Sequence, residues 1–197
     1  MIVKTYDEIE RDPEYDKYNN SEKVMENYGL LIQYAGGLGV TASTYRQFIA
    51  LLTAVKGNLE GKTILDLGCG SKESPDALPR SGPYYGLHPG LCRFLHSRGI
   101  KVIGIDKADN SKESFENYSV NLIDPHALDF LPNNSVDVVN SRALIDSPTL
   151  LKGTAKVTSE RGIIFPYNRE DLIPNLKKQL ERIVRPEGFF IYGGIDS

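Results

Sequence analysis

The sequence predicts an α/β fold, a doubly wound and mostly parallel sheet behind a helical N-terminal extension. Three observations predict it. Beyond Lys62, short apolar runs alternate with stretches whose apolar residues recur at helical spacing, the pattern of a parallel sheet covered on both faces. The first of those runs, Thr63 to Leu67, breaks into Gly68-Cys69-Gly70, as a buried strand ending in a glycine turn would. Ahead of Lys62 the spacing is helical. With 197 residues, 40% hydrophobic and 25% charged, the chain is long enough for one domain with a real core. Residues 1–58 are read as the extension and 62–197 as the α/β core.

The elements follow in order. Val24, Tyr28, Leu31 and Ile32 mark a helix that Gly36-Gly37 ends. Tyr45, Phe48, Ile49, Leu52 and Val55 make one face of a second helix over Ala42 to Lys56, with Gly57 at the left-handed C-cap position. After the Thr63 strand, Pro89 opens a helix whose Leu91, Phe94 and Leu95 face inward and which Gly99 closes. Lys101 to Asp106 is the second strand, Tyr118 to Ile123 a third, and Ser135 to Asn140 a fourth. Leu172, Leu176, Leu180 and Ile183 mark a late helix, and Gly188 to Tyr192 a fifth strand. Within Ser147 to Pro166, the run Gly162 to Phe165 suits either a short strand or a loop on the core.

Composition excludes several classes. Net charge is −3 with no long basic block, so a large nucleic-acid footprint is not indicated. The most basic stretch, Lys177 to Arg185, interleaves its charges with Leu180 and Ile183 and reads as a solvated helix face. Cys69 and Cys92 have no CxxC spacing, giving neither a disulfide framework nor a zinc site. His88, His96 and His126 show no ligand-like spacing. The charged start, Met1 to Asp12, holds no signal peptide or membrane span, which makes a cytoplasmic location the expectation.

Chemistry concentrates at two strand ends. A glycine turn lets backbone approach a ligand closely, but Gly68-Cys69-Gly70 alone is weak evidence. Asp66, two residues ahead of it, is the discriminating feature: a carboxylate there would repel a pyrophosphate and suits a ligand with an ammonium or sulfonium head. A solvated Asp beside a tight turn is the plainer alternative. Asp106, ending the next strand, suits the two hydroxyls of a ribose.

These residues resemble the class I S-adenosylmethionine-dependent methyltransferase family, which has a Rossmann-like fold. Asp66-Leu67-Gly68-Cys69-Gly70 is similar to its first motif and Ile105-Asp106 to its second. Ala127 to Pro132 followed by Ser135 to Val139 is similar to the third motif and fourth strand, and Val184 to Ile191 to the turn into the fifth. Four motifs in order, from Lys62 to the C-terminus, are far more specific than one. The resemblance implies S-adenosylmethionine as cofactor, its methionine part held at Asp66, Gly68, Cys69 and Gly70 and its ribose at Asp106 and Lys107. Asp129 with Phe130 would meet the adenine, although the register leaves Asp124 or His126 as alternatives. Asn140 and Ser141, with Arg142, would lie near the transferred methyl group or form a surface turn.

Three departures accompany the resemblance. Lys72 stands where the motif has its third glycine. Asp106 lies 40 positions after Asp66, the surplus falling in a Pro- and Gly-rich stretch from Ser71 to His88 with Tyr84-Tyr85; it reads as a loop over the ligand mouth or a neutral insertion. The family's hairpin after the fifth strand is missing, leaving that strand an edge for another part of the chain, a homodimer or a partner protein. The expected function is methyl transfer to an acceptor, a small molecule before RNA or protein. The alternatives are a non-catalytic cofactor-binding module or subunit, and a nicotinamide-dependent oxidoreductase, against which Asp66 argues. No catalytic base is assigned.

Overall fold

Alternating apolar runs dictate the sheet. In the computed structural model, which describes residues 1–20, 22–35, 38–71, 88–122, 124–142 and 169–193, six strands lie parallel in the order β1-β6-β5-β2-β3-β4. The elements are β1 (Ile2–Thr5), α1 (Tyr6–Glu10), α2 (Pro13–Asn19), α3 (Glu22–Ala35), α4 (Leu38–Ala54), β2 (Thr63–Leu67), α5 (Gly90–Ser97), β3 (Lys101–Asp106), β4 (Glu116–Ser119), β5 (Val136–Arg142), α6 (Arg169–Ile183) and β6 (Val184–Gly193). This is the doubly wound α/β architecture. The stretches around Lys72, Tyr84-Tyr85 and Ser147 to Pro166 lie outside the described residues.

Every residue of β2 is buried, as a central strand covered on both faces requires. Its side chains alternate between two cores. Ile64, with Val138 and Ile191, packs beneath the N-terminal helices and α5 through Leu31, Phe48, Leu51 and Phe94. Leu65 and Leu67, with Ile103, Ile105, Val139 and Phe190, pack on the opposite face against Leu176, Leu180 and Ile183 of α6. The helices thus cover both faces because the strand period of two sends apolar side chains each way.

Four boundaries differ from expectation. The extension does not begin as helix: Ile2–Thr5 pairs in parallel with β6, Ile2 opposite Phe189 and Thr5 opposite Tyr192. Three of its four residues, Ile2, Val3 and Thr5, are β-branched and suit a strand, but the run is short and its pairing partner lies far along the chain. β1 therefore fills the edge of β6, and a partner pairing there would have to displace it. The third strand of the core is Glu116–Ser119, ahead of the expected Tyr118 to Ile123, because an edge strand needs no apolar run. α4 starts at Leu38, with Gly57 in the expected left-handed conformation (φ 86°). β6 starts at Val184, and between the pairs Val136–Val184 and Val138–Phe189 it bulges through Arg185 to Gly188. A Cβ on Gly188 would stand 2.6 Å from Val184 Cγ1 and 2.7 Å from Asp137 O, so only glycine fits.

Gly104 in β3 is constrained too. A Cβ there would meet Phe115 Cε2 at 2.6 Å and Cys69 Sγ at 3.0 Å. Gly104→Ala is expected to lose about 2 kcal/mol from overpacking, seen as a lower urea midpoint. Removing residues 1–5 strips the cover from β6. Amides of Phe189 to Tyr192 should then exchange faster in a hydrogen-exchange measurement, and unchanged protection would mean the β1 ladder contributes nothing.

Candidate functional site

In an open parallel sheet, ligands bind at the carboxyl ends of strands where the connections reverse direction. Here the chain passes from β2 outward to β3 and β4, then returns to β5 and β6, so the reversal lies between β2 and β5. Asp66 and Asn140 sit opposite each other across it.

The turn after β2 depends on glycine. Gly68 (φ 71°) and Gly70 (φ 86°) occupy a region in which a side chain is strained. The Gly68 and Cys69 amides donate to Ile105 O at 2.7 and 3.1 Å, tying the turn to the end of β3. Asp106 grips it next: Oδ2 accepts from the Gly70 amide at 3.0 Å, and Oδ1 from the Ala108 amide at 3.0 Å. A carboxylate has about four acceptor positions, so both oxygens keep room for a further donor. Lys107 is exposed beside it, its carbonyl accepting from Ser119 Oγ at 3.0 Å.

Asp66 is deeper than the sequence suggests, only 3% exposed. Oδ1 accepts from Asn140 Nδ2 at 2.6 Å and Oδ2 from the Cys92 thiol at 3.4 Å. Burial raises its carboxyl to about 6, against the pull of the Asn140 and Cys92 hydrogen bonds and with repulsion from Asp106. Burial likewise pushes the Cys92 thiol well above its usual range. Asn140 is fully buried and spends both amide hydrogens: its amide also donates to Gln47 Oε1 at 2.9 Å, and its oxygen accepts from the Tyr6 hydroxyl. Ser141 differs. As the next strand residue it points to the other face, and its hydroxyl is buried without a hydrogen-bond partner among the described residues.

The structure thus brings together Asp66, Gly68, Cys69, Gly70, Asp106, Asn140 and Ser141 at one end of the sheet, with Lys107 at its rim. It does not bring Asp129 there. Asp129 is exposed, 2.7 Å from His126 Nδ1 and 4.0 Å from Arg182 Nη2. Arg182 lies in the last turn of α6, just before β6 begins, and holds Leu128 O and Leu131 O at 2.7 Å each. That is the amino end of the sheet. Phe130, 43% exposed, reaches higher: it rests on Tyr118 with ring centroids 4.3 Å apart, and Tyr118 pairs with Ile105 next to Asp106. The reason for the place of Asp129 is topological: the chain leaves Asp106 at Val120, whose amide donates to Asp106 O at 2.8 Å, and must descend a strand length to start β5. Residues 127–131 end that descent, whereas Asp124 lies only four residues past Val120.

Sequence reasoning missed four members: Tyr6, Gln47, Cys92 and Asn110. The Asn110 amide donates to Gly70 O at 3.0 Å and to Cys69 Sγ at 3.6 Å. No spacing signal marks them, because Tyr6 and Gln47 stand 134 and 93 positions from Asn140. Among the described residues, no group of three or more His, Cys, Asp or Glu side chains is placed to hold a metal ion, and no helix is long and apolar enough to cross a membrane.

Comparison with known proteins finds no matching family model and no matching curated protein. Among solved structures, the chain is similar to a SAM dependent methyltransferase from Archaeoglobus fulgidus, with a TM-score of 0.42 and 16% identity. The match covers 80% of this chain and 53% of that one, so the chain spans about half the length of the structure it matches.

Because burial lifts the Asp66 carboxyl, the unfolded chain ionises first. Its contribution to stability is full below the unfolded value near 3.8 and is lost as the pH rises to about 6. Asp66→Asn keeps an acceptor for Asn140 and removes the charge. Between about pH 4 and pH 7 the variant should gain roughly 3 kcal/mol on the wild type, read from urea unfolding at each pH. Parallel profiles would show that Asp66 does not titrate there.

Proposed function

We propose that this chain is an S-adenosylmethionine-dependent methyltransferase acting on a small-molecule acceptor. The observation that carries the reading is the grip of Asp106 on the Gly70 amide at the reversal point of the sheet. It places a carboxylate with spare acceptor capacity beside a turn that has no side chain at Gly68 or Gly70.

The residues fit the cofactor at three places. Asp106 would accept from the ribose hydroxyls, and the Gly68 to Gly70 backbone would leave space for the methionine part. The unpartnered Ser141 hydroxyl supplies a buried polar group on the same end of β5. Asp66 fits only indirectly: its oxygens belong to Asn140 and Cys92, so it would favour a cationic head through the field of a buried carboxylate. Asp124, closer along the chain to the carboxyl end than Asp129, is the better candidate for the adenine edge.

When bound, the cofactor supplies a methyl group made electrophilic by its sulfonium. The chain's part is to hold and align, since proximity and in-line geometry account for much of such a barrier. Asn140 joins β5 to β2 through Asp66 and, with both amide hydrogens used, has no donor left for an acceptor. That last point favours a second reading, a cofactor-binding module that methylates only with a partner.

Calorimetric titration with S-adenosylmethionine, S-adenosylhomocysteine and NADH tests the reading. Micromolar binding of the first two alone is expected; NADH binding would turn the case to an oxidoreductase. Asp106→Ala should weaken S-adenosylhomocysteine binding about 10- to 100-fold, the worth of charge-assisted hydrogen bonds, and unchanged affinity would remove the ribose assignment. Methylation by the isolated chain separates the enzyme from the partner-dependent module.

A further inference from the structure

We propose that Asn110 is a positioning residue for the cofactor turn, acting through the Gly70 peptide; the ligand part of this inference rests on the function proposed above. The two peptide units that flank Gly70 are each held by a side chain. Asp106 Oδ2 accepts from the Gly70 amide at 3.0 Å, and Asn110 Nδ2 donates to Gly70 O at 3.0 Å. The second Asn110 hydrogen is directed at Cys69 Sγ, 3.6 Å away. The orientation of the amide is dictated by its surroundings, because the reversed orientation would set Asn110 Oδ1 against the Gly70 carbonyl. Ser71 Oγ adds a third tie by donating to Asp109 O at 3.0 Å.

Asn110 can hold the turn because it is held itself. It is buried, and its backbone carbonyl accepts from the Glu113 amide at 2.8 Å. Glu113 forms a two-pronged ion pair with Arg93 of α5, one bond at 2.7 Å, while Phe115 packs beneath Gly104. The loop after β3 is thereby fastened to α5, and from that platform Asp106 and Asn110 reach back to the turn after β2. A turn with two positive φ values has many conformations open to it in the absence of such a grip. Fixing it in advance removes an ordering cost that binding would otherwise bear. Asp106 keeps its Ala108 bond without Asn110, so losing Asn110 should affect the methionine side of the ligand more than the nucleoside side.

The test compares wild type with Asn110→Ala and with Asn110→Asp, which keeps the shape but loses the donor. Hydrogen exchange of the unliganded proteins reads the turn directly. Amides at 68–71 are expected to exchange at least about tenfold faster in both variants, with β5 and β6 protection unchanged. Calorimetry reads the consequence: S-adenosylhomocysteine affinity should fall about tenfold, and adenosine affinity less than about twofold. Equal exchange at 68–71 in wild type and variants would overturn the clamp. Equal loss of both ligands, or loss of protection throughout the sheet, would reduce Asn110 to a general structural role and also overturn the proposal. If wild type binds neither ligand, the function proposed above falls, and the exchange rates alone decide whether Asn110 holds the turn.

Discussion

Asp66 places a carboxylate in the interior, between β2 and β5, where the connections of the sheet reverse. An ionised group there is costly unless it is hydrogen-bonded, and the surrounding residues are arranged to bond it. Asn140 donates from β5 and Cys92 from α5. Asn140 in turn engages Gln47 of α4 and Tyr6 of α1. One buried acid therefore fastens two central strands to three helices. The N-terminal segment is part of this arrangement, since Tyr6 closes the network immediately after β1 covers the edge of β6.

The two ends of the sheet use their charges differently. At the amino end Asp137 is satisfied by the Thr63 amide at 2.9 Å and Arg185 Nη1 at 2.7 Å, with Lys62 at 3.7 Å. Arg182 holds the Leu128 and Leu131 carbonyls below them. Those contacts join the starts of β2, β5 and β6 and leave the carboxylate closed in by its own chain. At the carboxyl end, among the described residues, Asp106 is met by two backbone amides and Ser141 keeps an unused hydroxyl. Closure at one end and spare capacity at the other give the sheet a direction, and the function proposed above uses the open end.

The first turn and its acids were legible in the sequence because they are local. Asp66, Gly68 and Gly70 lie within five residues of chain, and Asp106 ends a strand recognisable from its own apolar run. The segment expected to meet an adenine was legible as a resemblance but not as a location. Ala127 to Pro132 occupies the approach to β5, so Asp129 comes down beside Arg182. Only the path of the chain after Val120 shows this. Asn110 carries no signal of its own, since a buried Asn and an exposed loop Asn look the same in one sequence.

By itself, the sequence determined the alternation of strands and helices, the two-sided burial of β2 and the glycine turn, because strand and helix periods and the φ freedom of glycine are properties of neighbouring residues. Tertiary structure alone decided that residues 2–5 pair with β6, that Asp66 is sealed beneath Asn140, Gln47 and Tyr6, and that Asn110 grips Gly70. Each of those depends on hydrogen-bonding groups that are distant in the chain and adjacent only after the sheet has assembled, and the strength of a bond between them is set by burial that no local pattern encodes.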